Sequence, residues 1–588
     1  MWSSRTLSAL VISWALLGVM VCAASGAEFY VAENGSSIGQ GTKVDPWDLQ
    51  TALGHPAQVQ PGDTIWVRGG TYQGDFVSTL LGESNQPIVV RQYPGERATI
   101  DLTRDGGELR RLAIRGAFTH FQGLEVTSRD PQRVTDIPGQ PPEMDRGVVS
   151  LRGIRNKLIN MVLHDLTDGV WWPTSGWGGE VYGSIIYNNG WQGPDRGHGH
   201  GIYPRNRFVE KWTEENIIFN QYGWGIHAYA ETGDGLNLLH FEGNVSFGNG
   251  SVSEAGAYPN IFVGGEVAAS QITIRNNFTY SRAAAGVELQ LGYAASVRDA
   301  DLVVEGNYLV GEGQIISMQQ WNNATISGNT FVGSGLVAQM EIADDWQAAG
   351  VTWDGNTYRL GPSSGGQFGV ESDRMTFQQW QGATGFDTSS QVIQGYPDAT
   401  EVFVRPNRYE AGRANIIIYN WSLDDLVEVD VSGILQPGTK FELRDVQNFF
   451  AEPVLSGVYN GSPLMVPMAA VEVVAPIGYE GTVSRGQDFG VFVVMPGGMA
   501  LIGDITLDGV VDITDLGALA ASWQASGPDI GWANGDFSGD GVVDMIDLGA
   551  LAANWQAGAG TISAPVPEPG TLALLAGVGL ALIRRRGL

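Results

Sequence analysis

Cysteine is almost absent from this 588-residue sequence, in which Cys22 is the only one. Cys22 lies inside an N-terminal apolar stretch, so a chain cleaved after Ala27 has no thiol and neither disulfides nor cysteine catalysis. Basic residues are also scarce, with 33 Lys and Arg against 63 Asp and Glu and a formal charge of −30. A chain this acidic is repelled by phosphate backbones, which excludes general nucleic-acid binding.

Charged residues of both signs make up only 16% of the chain, whereas 43% is apolar, so an acidic disordered protein is excluded. Long apolar runs occur only at the two ends. At the N-terminus, Arg5, an apolar run to Ala24 and Ser25-Gly26-Ala27 predict a secretory signal peptide over residues 1–27. Lipid attachment at Cys22 is the alternative, although Val21 before it is bulky for such a site. The 82 glycines among aromatic and β-branched residues indicate short strands joined by tight turns.

Asparagine recurs beside short apolar strands at Asn244, Asn277, Asn307, Asn329 and Asn356, with spacings of 33, 30, 22 and 27 residues. Periods of this length are typical of solenoids, and no helical periodicity lies between the strands. The pattern predicts a parallel β-helix in which the asparagines stack as a ladder at one turn.

Residues 28–395 resemble right-handed parallel β-helix proteins of the pectate-lyase-like superfamily. The resemblance rests on FYVAENG (29–35), PWDLQTAL (46–53), PGDTIWVRGGTY (61–72) and PIVVRQYPGE (87–96). It implies right-handed winding and an N-terminal helix that caps the first rung. The fold class is therefore all-β, with a solenoid first, while one fold of this kind hosts many chemistries.

Five of the seven histidines lie between residues 164 and 240 (His164, His198, His200, His227 and His240). The same window holds Arg196, Arg205, Arg207 and Lys211, which favours an anionic ligand. It also holds six tryptophans, at positions 171, 172, 177, 191, 212 and 224, whose ring faces suit sugars as well as cores.

Alignment of HGIYPRN, GIHAYAE, NIFVGGE and GVELQLG points Ile202, Ile226, Ile261 and Val287 inward. One outward column then contains Tyr203, His227, Phe262 and Glu288, and its neighbour contains Arg205, Tyr229, Gly264 and Gln290. The predicted catalytic residues in this groove are His198, His200, Tyr203, Arg205, His227, Tyr229 and Glu231.

Three functions remain open at this point. A polysaccharide lyase would use Arg205 or a histidine to stabilise the uronate carboxylate, and Tyr203 or His227 as base. A glycoside hydrolase would need two carboxylates from Glu231, Asp234, Glu266 and Glu288. A non-catalytic glycan-binding adhesin or scaffold would need neither. A metal site at His198 and His200 is a weaker alternative.

Alternating strands after residue 401 predict a β-rich, sandwich-like domain over 396–498, and we expect it to cap one end of the solenoid. Two twelve-residue loops follow, DITLDGVVDITD (504–515) and DFSGDGVVDMID (536–547). Each places oxygen ligands around a glycine turn, as Ca²⁺ requires. The predicted ligands are Asp504, Thr506, Asp508, Val510, Asp512 and Asp515, then Asp536, Ser538, Asp540, Val542, Asp544 and Asp547.

Each loop leads into a near-duplicate short helix, and residues 499–557 resemble a type I dockerin. The resemblance implies a cohesin partner, although Ile513-Thr514 and Met545-Ile546 depart from the Ser-Thr pair common in cellulosomal dockerins. A linker (558–565) precedes VPEP, the apolar run Thr571–Ile583 and Arg584-Arg585-Arg586. Residues 566–588 resemble a PEP-CTERM sorting signal with a short apolar helix, which implies an exosortase and export to the surface or medium of a Gram-negative-type bacterium. A permanent membrane anchor is the alternative, with a short span.

Overall fold

A computed structural model describes residues 26–103, 110–139, 147–254, 256, 258–282, 286–294, 296–341, 350–527 and 530–558. Residues 28–394 form a solenoid with three long sheets of twelve strands each, nearly all of them parallel, which confirms the predicted parallel β-helix. The predicted signal peptide lies outside the described residues, apart from Gly26 and Ala27, and the C-terminal sorting signal lies wholly outside them. Among the described residues, no helix has the length and apolar character needed to cross a membrane.

Sheets 1, 2 and 3 are the three faces that the chain visits in turn. The strands of sheet 1 are Glu28–Val31, Thr64–Val67, Ile88–Gln92, Thr119–Gln122, Lys157–Ile159, Gly179–Tyr182, Lys211–Glu214, Leu236–Glu242, Ala269–Arg275, Asp299–Glu305, Trp321–Ser327 and Thr352–Trp353. The strands of sheet 2 are Gly70–Gln73, Ala98–Asp101, Glu125–Thr127, Val162–His164, Ile185–Tyr187, Ile217–Phe219, Val245–Phe247, Phe278–Ser281, Tyr308–Gly311, Thr330–Gly333, Thr357–Leu360 and Gln391–Gln394. The strands of sheet 3 are Phe76–Ser78, Arg111–Ile114, Val148–Leu151, Asp168–Trp172, His200–Pro204, Trp224–Ala228, Ile261–Val263, Val287–Leu291, Gln314–Gln319, Leu336–Glu341, Phe368–Val370 and Asp373–Met375, the last of which is antiparallel. Two short pairs join Gly153–Ile154 to Gly176–Trp177 and Trp191–Gln192 to Gly197–His198.

The predicted asparagine ladder lies at the tight turn between sheets 1 and 2. Each side-chain amide donates to the carbonyl oxygen of the next asparagine, for example Asn244 to Asn277 at 2.9 Å and Asn277 to Asn307 at 2.9 Å. The ladder begins one rung earlier than predicted, at Asn216. All of its members are buried, and their amides satisfy backbone groups that the turn leaves without partners.

A second buried polar chain, absent from the sequence-based prediction, lies at the corner between sheets 2 and 3. It runs through Asn189, Gln221, Asn249 and Asn260 and ends at the carboxyl group of Glu288. Glu288 is fully buried, Asn260 Nδ2 donates to its Oε2 at 2.6 Å, and its Oε1 has no hydrogen-bond partner. Burial therefore raises the pKa of Glu288 to about 8, so the interior holds a protonated acid.

Both ends of the apolar core are closed by short helices. Leu49–Leu53 covers the first strand of sheet 3, because Thr79 N donates to Leu53 O, and this confirms the implied N-terminal cap. At the other end, Phe377–Thr384 buries Trp380, whose indole nitrogen donates to Asp387. The core between the caps consists almost entirely of inward-pointing aliphatic and aromatic residues.

The second domain contains a five-stranded antiparallel sheet ordered Glu401–Pro406, Ala414–Tyr419, Phe489–Met499, Thr439–Asp445 and Leu455–Val458. Two ribbons pair Leu426–Val429 with Leu464–Pro467 and Val471–Val473 with Val483–Arg485, and a 3₁₀ turn spans Val446–Asn448. This architecture agrees with the predicted β-rich domain and gives it a core of its own.

The expected position of the second domain, at one end of the solenoid, is wrong. Its residues Ile417, Tyr419 and Phe489 share one apolar cluster with the outward side chains of sheet 2, among them Phe219 and Phe247. That cluster involves seven consecutive strands of sheet 2, from Val162–His164 to Thr330–Gly333. The domain therefore lies along the side of the solenoid because sheet 2 has an apolar outer face that must be buried.

Ion pairs border this interface, and one of them is buried. Arg133 donates to Asp165 on the solenoid, to the carbonyl oxygen of Gly190 at 2.7 Å and to that of Ile477 in the second domain at 2.8 Å. Ile477 N donates in return to Asp165 at 2.8 Å. The buried Arg133–Asp165 pair therefore joins a solenoid loop, a solenoid rung and the second domain.

The last module contains two helices, Ile513–Ala521 and Met545–Ala553, and a 3₁₀ turn at Trp532–Asn534. Asp512 and Asp544 cap the two helices at equivalent positions of the two loops. Leu519 and Leu551, also equivalent, are buried in a small shared core. The duplication seen in the sequence is thus a duplicated loop and helix.

Candidate functional site

The outer face of sheet 3 carries most of the predicted catalytic residues. Ile202 pairs with Ile226 and Ile226 with Ile261, all three inward, so Tyr203, His227 and Phe262 follow one another in an outward column. Arg205 and Tyr229 lie two residues beyond Tyr203 and His227, on the same face. The first three rungs of the predicted alignment are therefore confirmed.

The fourth rung of that alignment is wrong by two residues. Ile261 pairs with Leu289 and not with Val287, so Gln290 follows Phe262 in the outward column. Glu288 points into the solenoid and is fully buried. Val287 and Leu289 are two residues apart and both apolar. The alternating pattern therefore fits a pairing of Ile261 with either residue.

His227 lies in an aromatic cluster at the centre of this face. Its ring stacks on Trp224 at 4.4 Å and near-parallel to Tyr203 at 5.2 Å, and the residue is 8% exposed. His227 Nδ1 lies 3.4 Å from Nε2 of His200, while His200 Nδ1 is buried without a partner. Burial lowers the pKa of His200 to about 3 and that of His227 well below its usual range, so both imidazoles are neutral at neutral pH.

Arg205 and Tyr203 form the polar part of the same cluster. Arg205 donates to the Tyr203 hydroxyl through Nη2 and to Asp234 through Nη1, and its guanidinium lies 4.7 Å from the Tyr203 ring centre. Burial raises the pKa of Tyr203 even though Arg205 opposes the shift, so the phenol keeps its proton at neutral pH. Arg205 Nε is buried and has no hydrogen-bond partner.

The other predicted site residues are less closely associated with this cluster. Tyr229 is half-buried and lies near-parallel to His227 at 5.4 Å, whereas Glu231 is exposed beyond the end of the strand. His198 is buried on a hairpin, where it stacks on Trp191 and contacts Asp195 at 3.0 Å. A metal site shared by His198 and His200 is not supported, since His198 Nε2 contacts Asp195 on the hairpin whereas His200 Nε2 faces His227.

Parts of the predicted cationic and aromatic window do not belong to the groove. Lys211 is buried in the solenoid, where its ammonium donates to the carbonyl oxygens of Trp172, Pro173 and Arg205. Trp172 is buried and Trp212 lies on sheet 1 against His240. The tryptophans on the outward face of sheet 3 are Trp171 and Trp224.

The hydrolase alternative loses two of its carboxylates to structural roles. Glu288 is buried and protonated, and Asp234 is held by Arg205 and Thr174. Glu231 and Glu266 remain, both exposed at the edge of the sheet. The geometry therefore gathers imidazole, phenol and guanidinium groups at the centre of the face and leaves its carboxylates at the rim.

The sequence-based prediction missed a cavity on the neighbouring rungs. A cavity of about 250 Å³ is lined by Arg111, Val148, Ser150, Thr167, Asp168, Trp171 and Tyr203. Trp171 precedes Tyr203 in the outward column, and Asp168 accepts a hydrogen bond from His200 N at 2.9 Å. Extending the alignment by one rung, to DGVWWP (168–173), would have found both residues.

Both predicted calcium loops have the same internal geometry. The carboxylates at positions 1 and 12 are almost fully buried, at 0–4% exposure for Asp504, Asp515, Asp536 and Asp547. Gly509 N donates to Asp504 at 3.0 Å, and Gly541 N donates to Asp536 at 2.8 Å. One cation is close to these carboxylates, Lys440 of the second domain, whose Nζ lies 3.6 Å from Asp504.

The donor set of each loop consists of oxygen atoms. In the first loop the Thr506 hydroxyl lies between Asp504 and Asp515, at 3.5 and 3.1 Å from their oxygens. Asp508 and Asp512 accept backbone hydrogen bonds from Val510 and Thr514. Two buried carboxylates with so little compensating charge, in an all-oxygen environment, fit a hard divalent cation.

Comparison with known proteins follows this division of the chain. Residues 29–176 match the Pel9A-like, right handed beta helix region, and residues 502–554 match the Dockerin type I domain. Pectate lyase L of Thermoclostridium stercorarium is 23% identical over 282 residues, 44% of this chain and 21% of that protein. Pectate lyase L of Paenibacillus polymyxa (strain SC2) is 24% identical over 234 residues, 39% of this chain and 41% of that protein.

The chain thus spans less than half the length of these curated relatives. The crystal structure of pectate lyase Pel9A is 16% identical and aligns with 62% of this chain and 80% of its own, with a TM-score of 0.36. The chain is therefore similar to Pel9A-like right-handed β-helices over residues 29–176 and to type I dockerin domains over residues 502–554.

Proposed function

We propose that this protein is an extracellular or surface-attached polysaccharide lyase that cleaves a uronate-containing glycan in the groove on sheet 3. The observation that carries the proposal is the convergence of Tyr203, Arg205 and His227 on the outer face of sheet 3. The similarity to two pectate lyases supports the same class of substrate. Arg205 lies in this cluster and Arg111 lines the adjoining cavity, and cations on this face of an acidic chain suit an anionic polymer.

In this proposal His227 is the base. Its Nδ1 faces His200, which leaves Nε2 for the proton on the carbon next to the uronate carboxylate. Burial lowers the pKa of His227 and so keeps the imidazole neutral, which leaves a lone pair on Nε2 for that proton. The role of base requires that His227 Nδ1 donate to His200 Nε2, which makes His200 a positioning residue that would hold His227 in the tautomer with an unprotonated Nε2.

Arg205 and Tyr203 complete the elimination. As the C–H bond breaks, negative charge develops on the carboxylate, and the Arg205 guanidinium stabilises it. The carbon–oxygen bond to the leaving sugar then breaks and a carbon–carbon double bond forms. The protonated Tyr203 phenol supplies the proton that the leaving oxygen takes up.

Replacing His227 or Arg205 with glutamine is expected to lower kcat/KM on a polyuronate by about a hundredfold, as loss of a general base or of a charge-stabilising group does. The full-length chain is screened on polygalacturonate, alginate, sulfated and neutral glycans, with ultraviolet absorbance and reducing ends read together. His240→Gln is the matched control, since His240 also stacks on a tryptophan, Trp212, but on sheet 1.

Each pattern of product has a defined meaning. Absorbing product together with reducing ends supports the lyase, and reducing ends alone would support a hydrolase that uses Glu231 or Glu266. Binding of a glycan without formation of any product would support a non-catalytic adhesin or scaffold. Full turnover by both variants would overturn the assignment of the site.

We further propose that Ca²⁺ binds both dockerin loops, through the twelve ligand positions of residues 504–515 and 536–547. Bound calcium would neutralise the buried carboxylates of each loop and thereby stabilise the module. The module is proposed to bind a cohesin domain, and Ile513, Met545 and Ile546, each more than half exposed, give that surface an apolar character. Export by the signal peptide and sorting of residues 566–588 by an exosortase belong to the same proposal.

Calcium removal is expected to unfold the dockerin module while the solenoid stays folded. At a calcium concentration of about 100 times Kd, binding stabilises a site by about 2.7 kcal/mol, and chelation removes this contribution. Isothermal titration of the calcium-stripped full chain should give two sites, reduced to one by Asp536→Ala. Binding that is unchanged in this variant would contradict the ligand assignment.

A further inference from the structure

Three arginines lie together on sheet 3, on the two rungs before the cavity at Trp171. Ile114 pairs with Leu151, so Arg115 and Arg152, the next residue of each strand, are neighbours on the outward face. Arg111 begins the strand that ends just before Arg115, and it lines the cavity. We call Arg111, Arg115 and Arg152 the arginine site.

The charges of the arginine site are poorly compensated. Arg111 Nε lies 3.7 Å from Asp75, an exposed carboxylate that also accepts a hydrogen bond from Arg111 N at 2.9 Å. Among the described residues, Arg115 and Arg152 have no ion pair, and Arg152 donates to the neutral hydroxyl of Ser150 at 3.1 Å. Burial and the charges of Arg115 and Arg111 lower the pKa of Arg152, which is the effect expected of cations held together without an anion.

The aromatic ring of Trp171 lies beside these charges. The Arg152 guanidinium lies 4.7 Å from the ring centre of Trp171, and Trp171 precedes Tyr203 in the outward column. The cavity of about 250 Å³ is lined by Arg111, Trp171 and Tyr203, and also by the acidic Asp168, which accepts a hydrogen bond from His200 N. It joins the arginine site to the proposed catalytic cluster. An aromatic face beside unpaired guanidinium groups suits an acidic sugar, with its ring on Trp171 and its carboxylate on arginine.

We propose that the arginine site is a carboxylate-binding subsite that holds a uronate residue of the polymer away from the point of cleavage. The inference rests on the proposed function, since it assigns the direction of the substrate along sheet 3. Arg152 and Arg205 lie in one column two rungs apart, about 10 Å at the usual strand spacing. That separation is close to the length of a disaccharide, so one extended chain can reach both guanidinium groups.

The test is binding of polygalacturonate and of its methyl ester by the full chain carrying Arg115→Gln and Arg152→Gln. The double variant is expected to bind polygalacturonate at least ten times more weakly than the wild type, because each bidentate pair to a carboxylate is lost. The Arg152→Lys variant should have an affinity between those of the wild type and the double variant, since lysine keeps the positive charge but cannot form the bidentate hydrogen bonds of a guanidinium. Arg91→Gln is the matched control, as Arg91 lies 5.0 Å from the Trp66 ring on sheet 1.

Affinity electrophoresis and calorimetry measure this binding without any turnover. Arginine-dependent binding with no cleavage would support the carboxylate-binding subsite and contradict the proposed lyase activity. Cleavage at the wild-type KM by the double variant would overturn the subsite and leave the lyase. Equal arginine-dependent binding of the methyl ester or of dextran sulfate would overturn the carboxylate assignment, as would failure of the wild type to bind any polyuronate.

Discussion

Replacing Arg133 with methionine is expected to lower the free energy of unfolding by about 3–5 kcal/mol, the usual cost of leaving one partner of a buried ion pair uncompensated. Asp165 would keep its contacts to His164 and to Ile477 N but lose its guanidinium. The carbonyl oxygens of Gly190 and Ile477 would lose their donor in the same step. Urea unfolding followed by tryptophan fluorescence measures the loss, and limited proteolysis reports whether the second domain loosens.

The control and a second variant make this prediction specific. Arg91→Met removes an exposed guanidinium that lies over Trp66 and should change stability by less than about 0.5 kcal/mol, as is usual at the surface. Adding Asp165→Asn to Arg133→Met should recover part of the loss, because the buried negative charge is then gone. A single variant as stable as the wild type would contradict the role of the pair.

Glu288→Gln is expected to stabilise the protein by about 3 kcal/mol at pH 7 relative to the wild type, since each pKa unit corresponds to about 1.4 kcal/mol. The unfolded chain ionises this carboxyl near 4.5, whereas the folded chain keeps the proton to about pH 8. A raised folded pKa of an acid means that stability falls as the pH rises between these two values. Glutamine stays neutral, keeps the acceptor for Asn260 and removes this fall.

Urea midpoints at about pH 5 and pH 8 test the Glu288 prediction, because the difference between the variant and the wild type should be several times larger at the higher value. Glu266→Gln is the matched control, since Glu266 is exposed at the end of a neighbouring strand and should leave the pH profile unchanged. A wild-type profile without this fall, or an equal change in both variants, would show that Glu288 is not protonated in the folded protein.

The parts of the fold that could be predicted are those in which residue type and spacing have one physical cause. Asn277 and its equivalents recur because the tight turn needs a side-chain amide on every rung. Asp504 and Gly509 lie at fixed positions because a cation-binding loop needs an acid and a sharp bend. Such patterns are local and can be read without knowledge of what surrounds them.

The missed parts depend on partners distant in sequence. The three apolar residues of Ile217–Phe219 indicate a strand buried on both faces, yet they do not identify the second domain as its cover. Lys211 looks like a groove cation until three carbonyl oxygens from other rungs surround its ammonium. The register of Glu288 depends on the length of the preceding turn, which alternation does not reveal.

The attachment of the second domain to seven consecutive strands of sheet 2 fixes the number of coils in this solenoid. Repeat proteins usually gain or lose whole units without penalty, because each unit contacts only its neighbours. Here one inserted coil would displace every later strand by about 4.8 Å relative to a rigid sheet that spans them all. The second domain therefore holds these strands at fixed positions relative to one another. We expect new specificity in this protein to evolve by lengthening of its loops and not by duplication of its coils.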